Sequence, residues 1–209
     1  MEMLAIPCII ANSQEELDGN LNRVLGKVKR INLDVMDGKF VENTSLTFDF
    51  KLPLGAVYET HLMVVDPLSW VEENGYKVEL AIMQVEVLGD IGKAIEFVKD
   101  QNVKVSLALN PETPVETVIP YIDQVDAFQI MTVHPGQYCV EFLPESLEKI
   151  RRLRNLNDKI NIEVDGCMNI EHIKMAKEAG ANRFCSGSFI LKSENVDEAI
   201  KQLMDAIGA

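Results

Sequence analysis

Short apolar segments typical of buried β-strands alternate with helix-like segments along the whole chain. The first strand-like run is 4–10, and an amphipathic pattern over 14–27 follows it, opened by the capping-box pair Ser13 and Glu16. Strand starts recur roughly every 20 to 35 residues, the length of a βα repeat. Eight such units fit a closed parallel barrel, so the sequence predicts an α/β fold, a single (β/α)8 TIM barrel over residues 1–209. A doubly wound open sheet is the alternative.

The later elements follow the same alternation, with no linker or low-complexity stretch between them, which indicates one domain. The remaining predicted strands are 31–36, 57–64, 80–87, 104–109, 127–133, 160–164 and 183–185. The remaining predicted helices are 67–73, 91–99, 114–121, 143–156, 170–179 and 196–207.

Composition limits the partners of the chain. The net charge is −13, with 20 Lys and Arg against 33 Asp and Glu, which argues against nucleic acid and against an anionic membrane surface. No apolar run approaches the roughly 18 residues of a membrane span, and residues 1–7 carry an acid where a signal peptide carries positive charge. The four cysteines form no CxxC pair. These features together predict a cytoplasmic protein with reduced thiols.

Three of the predicted strands end in polar side chains. Asp34 lies near the end of the second strand, His61 near the end of the third, and Asp165 at the end of the seventh. Carboxylates rarely sit beside Val, Leu and Met unless they are paired, bound to a metal or lining a cleft. Because the active site of a closed βα barrel lies at the carboxyl-terminal rim of its strands, we expect these three side chains to meet there.

Two carboxylates and an imidazole can hold a divalent metal while leaving coordination positions open. Such a metal polarises a carbonyl and stabilises an enediolate. One acid can then remove the proton α to that carbonyl while the other returns a proton to the opposite face. Asp34 and Asp165 are therefore the predicted catalytic residues of a ketose epimerase. Taken singly, each of these side chains is explained as simply by a turn cap or a core histidine.

The last two strands offer a place for a phosphate. Gly166 follows Asp165, and Gly187 and Ser188 follow the eighth strand. Barrels often bind phosphate with these two loops and the N-terminus of a short extra helix, through backbone N–H groups. An acidic protein can therefore hold a phosphorylated sugar without Lys or Arg.

Longer motifs resemble the ribulose-phosphate 3-epimerase family, which includes the allulose-6-phosphate 3-epimerases, over nearly the whole chain. The motifs are Ile6-Pro7-Cys8-Ile9, the run from Leu33 to Val41, His61-Leu62-Met63-Val64, the run from Leu107 to Pro114, the run from Met131 to Gly136, Val164-Asp165-Gly166 and Ser186-Gly187-Ser188. The resemblance implies a barrel of the ribulose-phosphate-binding type. It also implies interconversion of D-ribulose 5-phosphate and D-xylulose 5-phosphate by proton transfer between two carboxylates through a metal-stabilised enediolate.

The resemblance assigns further roles. Asp34, His61 and Asp165 would ligate a divalent metal (Zn, Fe, Mn, Co or Mg), and Gly166, Gly187 and Ser188 would hold the phosphate of the ketose. The substrate would also contact Cys8, Met36, His61, Met63, Met131, Gly136, Gln137, Tyr138, Cys139, Gly166 and Cys167. Family analogy suggests a homo-oligomer, either a dimer or a hexamer.

The chain departs from the family pattern at several positions. Asn32 replaces a metal-ligating His, and its amide oxygen suits harder ions such as Mg²⁺ or Mn²⁺. The glycine-rich loop after the sixth strand keeps only Gly136, and Gln84 replaces a His on the fourth strand. A thiolate could replace the missing imidazole, because Cys8, Cys139 and Cys167 fall near the same rim.

These departures keep alternative functions open. A hexulose 6-phosphate, such as allulose 6-phosphate, is an alternative substrate, and a catalytically impaired sugar-phosphate-binding protein or assembly subunit is an alternative role. Related barrels that decarboxylate orotidine phosphate or condense formaldehyde with ribulose phosphate need an Asp-x-Lys-x-x-Asp array on the second strand. The corresponding residues 32–37 contain no lysine, which argues against that chemistry.

Overall fold

The computed structural model describes residues 1–136 and 141–209, and within them eight parallel strands form one closed sheet. The predicted (β/α)8 barrel is thereby confirmed, and the open doubly wound sheet is excluded. The barrel strands are β1 (Leu4–Ile9), β2 (Arg30–Asp37), β3 (Val57–Met63), β4 (Leu80–Gln84), β5 (Lys104–Leu109), β6 (Ala127–Met131), β7 (Asn161–Asp165) and β8 (Arg183–Ser186). Closure is completed by β1, which pairs with both β2 and β8.

Over residues 1–136 and 141–209, α-helices follow six of the eight barrel strands, and none follows β2 or β5. The helices are α1 (Gln14–Val24), α2 (Pro67–Asn74), α3 (Ile91–Asp100), α4 (Leu147–Leu156), α5 (Ile170–Ala179), α6 (Ser188–Leu191) and α7 (Val196–Ile207). At the start of α1, Oγ of Ser13 accepts from the backbone N–H of Glu16, and the Glu16 carboxylate accepts from the N–H of Asn12. In the described part of the chain, no helix combines the length and apolar character needed to cross a membrane.

The predicted helix over 114–121 is wrong. That segment forms two short 3-10 helices, Val115–Thr117 and Ile119–Tyr121. Pro120 has no N–H to donate and its ring clashes with the preceding turn, so an α-helix cannot run through it. The predicted strand over 80–87 is also too long, because it ends at Gln84 and continues as the 3-10 helix Val85–Val87.

Side-chain alternation along the strands separates an apolar outer layer from a polar interior. On β2, Ile31, Leu33 and Val35 belong to the apolar core shared with the surrounding helices. The alternate residues Asn32 and Asp34 are buried outside that core. The barrel interior therefore carries most of the buried polar side chains of the protein.

Asp37 fixes the loop after β2. Its Oδ1 accepts from the backbone N–H groups of Lys39 and Phe40, and its Oδ2 accepts from the N–H of Val65, which follows β3. These bonds lower the pKa of Asp37 although partial burial opposes them. The loop then returns as a two-residue antiparallel strand, Thr44–Ser45, which the sequence did not predict.

Candidate active site

The barrel brings Asp34, His61 and Asp165 together at the carboxyl-terminal rim. Asp34 and His61 are direct partners in the β2–β3 register. Nδ1 of His61 lies 3.3 Å from Oδ2 of Asp165 and 3.8 Å from Oδ1 of Asp34. One ligand atom from each of the three residues lies within 4.8 Å of the other two. The two carboxylates can therefore touch one small ligand, although their strands lie apart in the barrel.

Two amide side chains hold this triad. Nδ2 of Asn32 donates to Oδ1 of Asp34 at 2.7 Å, and the Gln84 amide lies 2.8 Å from Nε2 of His61. An imidazole that offers Nδ1 to a metal keeps its proton on Nε2, and Gln84 accepts from that N–H only when its side-chain oxygen is turned toward the ring. The atom 2.8 Å from Nε2 of His61 is the Gln84 nitrogen, and the Gln84 oxygen is buried with no hydrogen-bond partner among the described residues. A half-turn of the amide brings the oxygen to the imidazole.

The donor set fits a divalent cation. Nδ1 of His61 and Oδ1 of Asn32 are buried and have no hydrogen-bond partner among the described residues. Burying such groups without a partner costs free energy, which a cation at this position recovers. Two carboxylates, one imidazole nitrogen and one amide oxygen can ligate Zn²⁺ and also harder ions such as Mn²⁺ or Mg²⁺.

The environment of Asp34 raises the pKa of its carboxyl group. Burial, followed by repulsion from Asp165, raises the pKa of Asp34 from 3.8 to about 7. His61 and the Asn32 hydrogen bond act in the opposite direction and are outweighed. In the absence of a cation, Asp34 can thus hold a proton near neutral pH, as a general acid must.

A cavity of about 320 Å³ opens above the triad. Most of the residues predicted from the sequence to be in the site line it, namely Cys8, Asp34, Met36, Met63, Met131, Gly136, Asp165, Gly166, Cys167, Gly187 and Ser188. Asn32 and His61 are fully buried below it, so contact of His61 with a substrate stays a prediction. Gln137, Tyr138 and Cys139 lie outside the described residues.

Backbone geometry shapes the predicted phosphate end of the cavity. Gly166 has φ +120°, and a Cβ there would lie 2.7 Å from Cγ2 of Val133. Its carbonyl accepts a 2.7 Å bond from the Thr132 hydroxyl. Gly187 packs against Cys8, whose carbonyl oxygen would lie 3.3 Å from an added Cβ. Only glycine fits the Gly166 position without strain, which keeps the backbone there close to any ligand.

Some cavity residues escaped the sequence analysis. Cys185, Asn20 and Lys192 also line the cavity. Cys185 could have been found from strand alternation, because it is the register partner of Asp165 on the adjacent strand. Asn20 lies in α1 and Lys192 directly follows α6, and no periodic signal in the sequence places them at the rim.

An ionic layer lies below the triad and was also missed. Glu59 and Glu163 are fully buried, and each precedes a triad residue by two positions. Oε2 of Glu59 bonds Arg30 at 2.9 Å, and Arg30 also bonds Glu79 at 2.8 Å. Burial is the main cause of the raised pKa of both Glu59 and Glu163. Oε1 of Glu163 accepts from Sγ of Cys185 at 3.0 Å, which connects this layer with a residue that lines the cavity.

Sequence comparisons connect the chain with one group of proteins. The profile of the ribulose-phosphate 3 epimerase family matches residues 5–191. A Synechocystis ribulose-phosphate 3-epimerase is 34% identical over 182 residues, covering 81% of this chain and 79% of the relative. The Schizosaccharomyces pombe protein of the same name is 27% identical over 210 residues, covering 96% of this chain and 92% of the relative.

Solved structures with the same fold are more distant in sequence. KGPDC from Streptococcus mutans superposes with a TM-score of 0.74 at 13% identity, covering 100% of this chain and 98% of that chain. The 3-hexulose-6-phosphate synthase of Salmonella typhimurium superposes with a TM-score of 0.72 at 12% identity, covering 98% of each chain. At these identities the likeness concerns the barrel fold alone.

Proposed function

The chain belongs to the ribulose-phosphate 3-epimerase family, and from this membership we propose that it interconverts D-ribulose 5-phosphate and D-xylulose 5-phosphate. The observation that carries the proposal is the approach of two carboxylates from β2 and β7 to one imidazole, with ligand atoms within 4.8 Å of each other. An epimerase needs an acid and a base that reach the same carbon from two sides.

The reaction uses the two carboxylates in turn. The Asp165 carboxylate takes the proton from C3 of the ketose, and the electron pair of the broken C–H bond moves toward the C2 carbonyl. Protonated Asp34 then delivers a proton to the opposite face of C3, and the carbonyl re-forms. No electrons are gained or lost, and the two residues exchange roles in the reverse direction.

The proposed metal ligands are Asp34, His61 and Asp165, with the amide oxygen of Asn32 as a fourth donor. When bound, a divalent cation supplies positive charge that stabilises the negative charge developing on the ketose oxygens. Because an amide oxygen is a poorer ligand than imidazole for Zn²⁺ or Fe²⁺, Asn32 shifts the preference of the site toward harder ions such as Mn²⁺ or Mg²⁺.

Other cavity residues position the sugar. Met36, Met63 and Met131 supply an apolar, polarisable floor that excludes water from the reacting carbons. Gly166, Gly187 and Ser188 are the proposed phosphate contacts, through backbone N–H groups. The chain lacks the strand-two lysine of the decarboxylase and synthase chemistry, and this absence supports the epimerase assignment.

Solvent exchange tests the function directly. The purified protein, stripped of metal and reloaded with each divalent cation, is incubated with ribulose 5-phosphate in D₂O. Proton NMR then follows deuterium at C3 and the formation of xylulose 5-phosphate. Cation-dependent exchange with product formation supports the proposal. Faster exchange with allulose 6-phosphate reassigns the substrate, and no exchange of either sugar with any cation favours a binding protein.

We propose in addition a cytoplasmic homo-oligomer, a dimer or hexamer, with no nucleic-acid or membrane partner. The net charge of −13 supports the absence of a nucleic-acid or anionic-membrane partner. One rice relative, 30% identical, is named as a cytoplasmic isoform. Light scattering of the purified protein measures its mass, and a monomer would refute the assembly.

A further inference from the structure

A second cluster of metal-ligating groups lies beside the triad. Sγ of Cys8, Sγ of Cys185 and a carboxylate oxygen of Asp165 lie within 4.8 Å of one another. Cys185 is the register partner of Asp165 across β7 and β8, and of Ile6 across β8 and β1. Cys8 follows Ile6 by two residues, so its side chain points to the same interior face.

The cluster is enclosed but reachable. Cys8 and Cys185 are only 6% and 2% exposed, yet both line the cavity above the triad. That lining also carries the carboxylates of Asp34 and Asp165, while Lys192 is its one Lys or Arg among the described residues. The local charge therefore favours entry of a cation.

The donor chemistry differs from that of the triad. Two thiolates and one carboxylate suit Zn²⁺ and other thiophilic ions, which accept four tetrahedral ligands and can leave the fourth position to the cavity. Hard ions such as Mg²⁺ gain little from sulfur ligands. The two ligand sets therefore select different cations, although both include Asp165.

We propose that Cys8, Cys185 and Asp165 form a binding site for a zinc-class divalent cation, which we call the thiolate seat. The thiolate seat competes with the metal site formed by Asp34, His61 and Asp165, because both need the Asp165 carboxylate. An ion in the thiolate seat withholds Asp165 from its acid–base role. Excess Zn²⁺ then inhibits the enzyme reversibly. This regulatory consequence rests on the proposed epimerase function, whereas occupancy of the seat does not.

Filling the seat changes the protonation of both thiols. Sγ of Cys8 now donates weakly to the Ile6 carbonyl at 3.7 Å, and Sγ of Cys185 donates to Oε1 of Glu163 at 3.0 Å. Burial raises the pKa of each thiol, so both carry protons when no cation is bound. Binding breaks two S–H bonds, forms two metal–sulfur bonds and sends two protons to solvent.

Cadmium titration of the whole protein tests the seat without substrate. With thiols kept reduced, Cd²⁺ is expected to produce an ultraviolet thiolate-to-metal charge-transfer band that saturates at one ion per chain. Cys8→Ser and Cys185→Ser should each weaken Cd²⁺ binding at least tenfold and diminish the band. His61→Asn should retain both, because His61 belongs to the other metal site, and Cys167→Ser is the matched thiol control.

Three results would overturn the seat. They are the absence of a band in the wild-type chain, a band that persists in the Cys8→Ser, Cys185→Ser double variant, and a band that His61→Asn abolishes. Proton release from the wild-type chain, measured in weak buffer, covers the case of a misfolded variant. Binding at the triad releases at most the one proton of Asp34, so more than one proton per Cd²⁺ supports the seat, and one or fewer opposes it. Wild-type exchange at C3 with Mn²⁺ reports the proposed function separately.

Discussion

The side-chain amide of Asn32 donates a 2.7 Å hydrogen bond to Oδ1 of Asp34, two residues farther along the same strand. The bond holds the Asp34 carboxylate in place and leaves the amide oxygen of Asn32 without a partner among the described residues. Asn32 thus combines a contact to Asp34 with a buried amide oxygen that has no partner among the described residues.

Replacement of Asn32 by histidine should change the metal preference. An imidazole binds Zn²⁺ and Fe²⁺ better than an amide oxygen does, so Asn32→His should tighten Zn²⁺ binding by about tenfold or more relative to Mg²⁺. Isothermal titration with both ions measures the ratio. Asn161→His is the matched control, because Asn161 lies at the opposite end of β7. An equal gain there would show that the effect is not specific to the site.

Removal of either acid should abolish proton transfer. Asp34→Asn and Asp165→Asn preserve shape but cannot accept or deliver the C3 proton, and a positioned acid or base contributes roughly 10²–10⁴-fold. We expect C3 deuterium exchange to fall by at least that range. Asp37→Asn is the control, since its carboxylate accepts backbone N–H groups of the adjacent loop. A comparable loss in that variant would mean that the exchange does not report the two acids.

Gln84 should control the metal affinity through His61. Gln84→Leu removes the partner of Nε2, which frees the imidazole to rotate and to change tautomer. Loss of such a partner typically costs 10- to 100-fold in metal affinity (about 1.4–3 kcal/mol). Gln129→Leu makes the same change at another fully buried interior glutamine, whose amide contacts Met131. Equal metal affinities of the Gln84→Leu and Gln129→Leu variants would show that Gln84 does not control metal binding.

The stability of the metal-free protein should depend on pH because the pKa of Asp34 is raised. Its pKa is about 7 in the folded state, against 3.8 without that environment. Between these values the folded chain binds a proton that the unfolded chain has lost, so the contribution of this group to stability decreases as pH rises from 4 to 7. Asp34→Asn should flatten that part of the profile.

Urea denaturation at a series of pH values gives the comparison. The difference in unfolding free energy between wild type and Asp34→Asn should vary by a few kcal/mol across this interval. Asp37→Asn should show the opposite sign, because hydrogen bonds lower the pKa of Asp37, and its stabilisation is lost as pH falls. A constant difference for Asp34→Asn would contradict the raised pKa.

The barrel and the three triad positions could be predicted because both depend on local pattern. Apolar runs of strand length repeat at the right interval, and Asp34, His61 and Asp165 interrupt them near their ends. Parallel strands bring such ends to one rim whatever their separation in sequence. The meeting of these side chains at the rim was therefore predicted, but the distances of 3.3 Å and 3.8 Å could not be, because they depend on side-chain conformation and on the exact barrel register.

The interior contacts were harder to foresee. Glu59 and Glu163 have the same two-residue alternation as the triad, but in sequence they are indistinguishable from exposed acids beside a strand. Arg30, on a neighbouring strand, bonds Glu59, whereas Glu163 accepts from the Cys185 thiol, and neither contact can be read from the sequence. The pairing of Cys8 with Cys185 likewise needs the β1–β8 register, which joins the two ends of the chain.

The position of the ionic layer has a consequence for protein engineering. His61 and Asp165 stand on the same strand faces as Glu59 and Glu163, one repeat above them. A designer who transplants only the rim residues into a barrel with an aliphatic interior would lose the buried polar layer beneath them. Successful grafting should require Arg30 and both glutamates as part of the transferred unit.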